Sequence, residues 1–150
     1  MSSKIGIQSY FNAALNYFEF EEFINRDIDF SGNTLPGVPK STLNTGFELN
    51  YGRNFFFYTN LLAVGEILLN DANSLSTENY QVVDIKARYD FKIFKNLESN
   101  ISAGINNVLD EKYVSSVLPN AVGFGNSAPR YYYPGNPRNY FVGFGLNYVF

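Results

Sequence analysis

No cysteine, histidine or tryptophan occurs among the 150 residues. Without cysteine there is no disulfide framework and no thiolate metal site, although the compartment stays open. Without histidine the commonest metal ligand, the usual general base and every Ser–His or Cys–His pair are gone. An enzyme built on this chain would have to work with carboxylates, so no enzymatic activity, cofactor or metal is expected. Basic excess is missing too: 11 Lys and Arg stand against 14 Asp and Glu, for a net charge of -3. No basic stripe is available to neutralise phosphates, so nucleic acid is not an expected partner. Long apolar runs are also lacking. The best, "LLAVGEILL", is interrupted by Glu66 and falls well short of the roughly 18 residues of a membrane-spanning helix. The start, "MSSKIGIQSYFNAAL", has no apolar core and no clear cleavage site, so no signal peptide is expected.

What the chain has in plenty is aromatic side chains, with 12 Tyr and 15 Phe. That load favours strands over helices. Six segments alternate with period two, the mark of strands with two different faces. In the first, Ile5, Ile7, Phe11, Ala13, Leu15 and Tyr17 oppose Gly6, Gln8, Tyr10, Asn12, Ala14 and Asn16. In the second, Leu43, Thr45, Phe47, Leu49 and Tyr51 oppose Asn44, Gly46, Glu48 and Asn50. The third, roughly residues 55–68, is more apolar on both faces than the others. The fourth sets Val83, Ile85, Ala87, Tyr89 and Phe91 against Asp84, Lys86, Arg88 and Asp90. The fifth sets Leu97, Ser99, Ile101, Ala103 and Ile105 against Glu98, Asn100, Ser102, Gly104 and Asn106. The sixth, at the C-terminus, sets Tyr140, Val142, Phe144, Leu146, Tyr148 and Phe150 against Asn139, Phe141, Gly143, Gly145, Asn147 and Val149. Long connections alternate with tight ones such as "GRN" and "KIFKN". Long loops at one end and tight turns at the other are expected of outer-membrane barrels.

Alternation alone fits two solvents. In a soluble antiparallel sheet the apolar face packs on a core; in a membrane barrel it meets lipid. Three details favour lipid. Aromatics gather near the strand ends, as interfacial girdles do. The chain stops inside its last strand, on Phe150. The polar faces are rich in Asn, Gly and paired charges, which suits a wide lumen. A small complete outer-membrane barrel of about eight strands would need two further strands, in residues 21–29 and 114–124. A soluble lipocalin-like barrel or sandwich would need the apolar faces to meet each other.

Four stretches carry a resemblance. "GNTLPGVPKSTLNTGFEL" is similar to a late-barrel segment of TonB-dependent outer-membrane receptors. "AGINNVLDEKY" resembles that family's penultimate-strand motif, and "YYYPGNPRNYFVGFGLNYVF" its closing motif. "VGEILLNDAN" resembles a common strand-to-loop passage. The matches fall in family order over residues 32–150. The resemblance implies an all-β fold: an antiparallel transmembrane segment of about six strands, the C-terminal part of a barrel of about 22 strands. It implies that residues 1–150 are barrel, without signal peptide or plug domain. It further implies the bacterial outer membrane, lipid as surroundings, and active transport of a ferric siderophore or similarly bulky nutrient energised by TonB through an absent plug. The last strand also resembles the signal read by the barrel-assembly machinery, with Gly145, Tyr148 and Phe150 in the matching places and Gly143 where a polar residue is usual.

Three groups are candidate sites. Asp84, Lys86, Arg88 and Asp90 would face the lumen, either as a ladder along a substrate path or as a hydrated wall. Arg130, Tyr131, Tyr132 and Arg138 lie in an outer loop whose cations and flat rings suit an anionic ferric chelate; alternatively Pro134, Gly135 and Pro137 shape the turn into the last strand. The acidic stretch Glu19, Glu21, Glu22, Asp27 and Asp29 lacks the spacing of a calcium loop and is read as a solvated outer loop.

Overall fold

Period-two polarity needs extended backbone to be of use, and the β-branched and aromatic residues that carry it favour that backbone. A computed structural model of the chain describes residues 5–149. It has ten strands: β1 (Ile5–Leu15), β2 (Ile24–Asn25), β3 (Ile28–Asp29), β4 (Ser41–Tyr51), β5 (Phe55–Val64), β6 (Tyr80–Phe94), β7 (Leu97–Asn106), β8 (Val114–Val117), β9 (Tyr132–Pro134) and β10 (Asn139–Tyr148). No helix occurs among the described residues. Six strands form one antiparallel sheet in the order β1-β4-β5-β6-β7-β10. The sheet is open, with β1 and β10 at its edges. The stretches that could have supplied two more wall strands do form β-structure, but only as separate pairs within the loops, β2 with β3 and β8 with β9. That removes the expectation of a closed barrel of eight strands within the described residues.

The register places the alternation in rows. Ile7, Leu49, Phe57, Ala87, Ala103 and Val142 stand side by side on one face. One residue further along, Gln8, Glu48, Tyr58, Lys86, Gly104 and Phe141 form the next row on the other face. None of the described residues packs over the apolar face: Ile7 on β1 is 67% exposed and Val142 on β10 77%. The wall strands are 10 to 15 residues long. A tilted strand needs about 9–11 to cross a bilayer.

The buried apolar cluster is elsewhere. Val64 and Val82, on the polar face at the long-loop end, pack with Ile67, Leu68 and Leu69 of the β5–β6 connection. This corrects the third segment, expected to run to residue 68. The strand stops at Val64, where Gly65 lies against Ser41 so closely that a Cβ would stand 2.5 Å from its Oγ. Beyond it Ile67 and Leu68 form isolated bridges to Pro39 and Ser76. The run carries apolar residues on both faces towards its end because that end is the floor of a loop layer, not wall.

Candidate functional site at the long-loop end

Three connections, residues 16–40, 65–79 and 107–138, leave the same end of the sheet and meet above it. Beyond their short strand pairs and bridges their backbones have no continuous ladder to join, and side-chain amides supply further partners. Asn73, at φ +53°, donates from Nδ2 to the Thr34 carbonyl and accepts the Thr34 N–H at Oδ1, both at 2.8 Å. Asn120, at φ +55°, accepts the Asp71 N–H at 3.0 Å and donates to Asp71 Oδ1 at 2.9 Å. Asn33 donates to the Asp71 carbonyl at 2.8 Å. Asparagine suits these places because its short amide tolerates left-handed backbone and mimics a peptide group. Lys40 pairs with Glu66 beside the bridge between Pro39 and Ile67. Hydrogen bonds from Lys40 and then Ser76 hold the Glu66 carboxyl below the usual glutamate range.

The longest connection is closed at its neck by the two motifs that flank it. Asn107 is only 2% exposed and sits at φ +53°. Its Nδ2 donates to the carbonyls of Glu111 (2.9 Å) and Asn136 (3.1 Å), and its Oδ1 accepts the Glu111 N–H (2.8 Å). Its own N–H is taken by Asp84 Oδ1 at 2.8 Å. Asp110 accepts the Arg138 N–H at 3.0 Å, and the Gly135 N–H reaches the Tyr113 carbonyl at 2.7 Å. The Tyr113 ring lies flat against Gly135, where a Cβ would come within 2.1 Å of it. Its other neighbour is the Tyr80 ring, with centroids 5.3 Å apart. So "NNVLDEKY" and "YPGNPR" are two halves of one clasp, and Gly135 is required by the close approach of a ring.

Beyond the clasp, β8 and β9 form an arm. Of the four expected ligand contacts, Arg130 and Arg138 are exposed, Tyr132 is nearly half exposed and Tyr131 is partly covered. They do not converge on one surface. Arg130 lies over the Tyr133 ring at 6.0 Å, the Tyr131 carbonyl accepts the Leu118 N–H, and Arg138 is tied back to Asp110 through its backbone. Tyr132 instead lines a cleft of about 730 Å³ with Tyr80, Tyr113, Glu78, Asp110, Glu111 and Lys112. Sequence reasoning missed this cleft, because its walls come from three separate stretches. The repeated Asn in "NDANS" and "NNV" was the available signal for the loop clasps.

On the wall, Asp84, Lys86, Arg88 and Asp90 share one face of β6, as the alternation implied. They are not a uniform ladder. Asp84 is engaged by the clasp, Lys86 stands over the Tyr58 ring at 6.0 Å, and Arg88 lies over Phe56 at 4.2 Å with its Nε 3.0 Å from Asp90. On the last strand, Gly145 faces Asn100, and a Cβ there would come within 2.6 Å of the Asn100 Nδ2. Tyr148 pairs with Leu97 and is exposed on the apolar face. Phe150 lies outside the described residues. Among the described residues no group of carboxylates is placed to hold a metal ion.

The family described as TonB dependent receptor-like, beta-barrel matches residues 5–108. Two solved structures from Acinetobacter baumannii are similar in fold. One is BauA, the ferric preacinetobactin receptor, with TM-score 0.59 and 21% identity over 79% of this chain. The other is the siderophore receptor PiuA, with TM-score 0.65 and 18% identity over 99% of it. The chain spans 16% of the first and 20% of the second.

Proposed function

The chain belongs to the TonB-dependent receptor family, within its β-barrel, and on that premise we propose that it supplies wall and three outer loops to an outer-membrane importer of a ferric siderophore or similarly bulky nutrient, energised through TonB. The observation that carries the membrane part is the uncovered apolar face. Its large apolar residues are exposed on the edge strands and mostly half-exposed on the inner ones, with no core packed over them among the described residues, as lipid would tolerate over so large an area. Two hydroxyls on that face are satisfied within the sheet: Thr45 Oγ1 donates to the Tyr10 carbonyl at 2.8 Å and Ser99 Oγ to the Gly145 carbonyl at 2.9 Å. Polar groups facing hydrocarbon need such internal partners.

In this reading the β6 charges face the lumen and the loop layer faces outward. Arg130, Tyr131, Tyr132 and Arg138 contribute ligand contacts, with Tyr132 in the cleft and Arg130 on the arm. Gly145, Tyr148 and Phe150 form the signal for the assembly machinery. The chain itself performs no chemistry. The likeness in fold to two siderophore receptors supports a ferric chelate as cargo.

The test uses cells producing the receptor that carries this chain. Dissipating the proton-motive force should abolish accumulation of the ferric chelate while leaving it bound at the cell surface. Accumulation that continues without the proton-motive force would overturn TonB-energised import. Replacing Tyr148 and Phe150 with Ser should lower outer-membrane abundance before it alters binding per molecule. Normal abundance with lost uptake would remove the assembly role.

A further inference from the structure

The polar side chains of the loop layer divide into two kinds. Most of the amides are engaged with neighbouring backbone: Asn33, Asn73, Asn107 and Asn120 each tie one loop to another part of the layer. In the cleft the pattern is reversed. The phenol hydroxyls of Tyr80, Tyr113 and Tyr132 donate to no protein acceptor among the described residues, and the charged ends of Glu78, Glu111 and Lys112 form no ion pair there. A space of about 730 Å³ is within the range of small-molecule sites. Its rings offer flat apolar faces, and its free hydroxyls and carboxylates can meet a ligand's donors.

The charge of this end narrows the ligand. The cleft presents Glu78, Asp110 and Glu111 against Lys112 alone. The three long connections together hold ten carboxylates and five cations, a net charge of −5. A field of that sign lowers the local concentration of an anion and raises that of a cation. Ferric chelates differ in this respect. Three hydroxamate groups, each a monoanion, neutralise the ferric ion, whereas three catecholates, each a dianion, leave a trianion.

We propose that the tyrosine cleft receives an uncharged or cationic, hydroxamate-type ferric chelate and that this sector of the receptor disfavours polyanionic ones. The proposal rests on the reading of the chain as part of a ferric-chelate receptor and narrows its substrate class. It also revises the expectation that the arm's arginines select an anion. Arg130 lies on the arm against Tyr133, and Lys112 is the sole cation among the residues that line the cleft.

The receptor that carries this chain, purified in detergent, is titrated with a neutral ferric trihydroxamate and with a trianionic ferric triscatecholate. At low salt the neutral chelate should bind about tenfold tighter or more, and the gap should narrow as ionic strength rises. Tyr132→Ala should weaken the neutral chelate. The exposed change Glu78→Lys should improve the trianion relative to it, and Glu111→Lys, a second charge reversal in the cleft, should do the same. Equal or tighter binding of the trianion at low salt would overturn the charge assignment and leave the receptor reading standing. Trihydroxamate binding that is indifferent to Tyr132→Ala, with a gap to the trianion that neither Glu78→Lys nor Glu111→Lys narrows, would remove the cleft as its site. Binding of neither chelate would overturn the ferric-chelate reading and the proposal with it.

Discussion

At the tight-turn end of the sheet, β4 passes to β5 through Gly52 at φ +67°, and β6 passes to β7 through Lys95 and Asn96. Little is needed there beyond the ladder: Asn54 of the first turn exchanges bonds with Asp90 of β6, and the Val149 N–H reaches the Asn96 carbonyl. At the long-loop end 15 to 32 residues at a time leave the sheet, and left-handed asparagines help hold them together through their side chains. The wall thus rests on a repeating backbone pattern that tolerates exchange of side chains within a polarity class. The loop layer rests on a few individual side chains that tolerate almost none. The difference predicts where substitutions hurt.

The largest effect is expected at Asn107. Asn107→Ala leaves two carbonyls and one N–H without their partner in a buried place and puts alanine at positive φ. About 3–5 kcal/mol of stability should be lost, with the β8–β9 arm released first. Reversible unfolding of the receptor in liposomes measures the loss. A cost no greater than that of an exposed wall asparagine would break the comparison. Next comes the wall's own weak point. Ala87→Arg should cost about 2–4 kcal/mol near the bilayer midplane. Arg88→Ala, one residue away on the other face, should cost about 1 kcal/mol, since it loses a ring contact and a part-exposed ion pair. Heat-modifiability on gels ranks the two. Gly135→Ala should cost about 1–3 kcal/mol by driving a methyl into the Tyr113 ring. In the Tyr113→Ala background the same change should cost less, and a double-mutant cycle measures the coupling.

The smallest effect is a pH dependence. The Glu66 carboxyl is held below its ordinary range, first by the hydrogen bond from Lys40 and then by that from Ser76. A depressed carboxylate stabilises the fold above its unfolded pKa, and that contribution is lost as pH falls through the lower folded value. Amide exchange at Gly65 and Thr77, corrected for intrinsic rates, should therefore rise on acidification below the normal glutamate range. It should not do so in Glu66→Gln.

What the sequence disclosed follows the same division. The six wall strands were legible because alternation is a local property, and Val83 to Phe91 on β6 carries its faces in nine consecutive residues. The end of β5 was not legible, because Ile67 and Leu68 look like a continuation of the strand until the loop layer in which they are buried is known. The place of Asp84 on the polar face of β6 could be read, but not its bond to Asn107, a partner 23 residues away. The two motifs around the clasp were recognisable as text. The reason for them, Asn107 reaching Asn136 and Tyr113 lying on Gly135, needs both segments in space at once. The cleft was invisible for the same reason.

The central claim is that the row through Ala87 meets lipid while the row through Lys86 and the neighbouring Arg88 face an aqueous interior. The chain has no cysteine of its own. In a receptor otherwise free of cysteine, Ala87→Cys and Arg88→Cys can therefore be labelled one at a time in proteoliposomes. The account predicts that Ala87→Cys reacts with a membrane-partitioning maleimide and resists a charged, water-soluble one, and that Arg88→Cys does the reverse. The opposite pattern would put lipid on the polar face and contradict the account; reaction of both with the water-soluble reagent would take the sheet out of the membrane altogether.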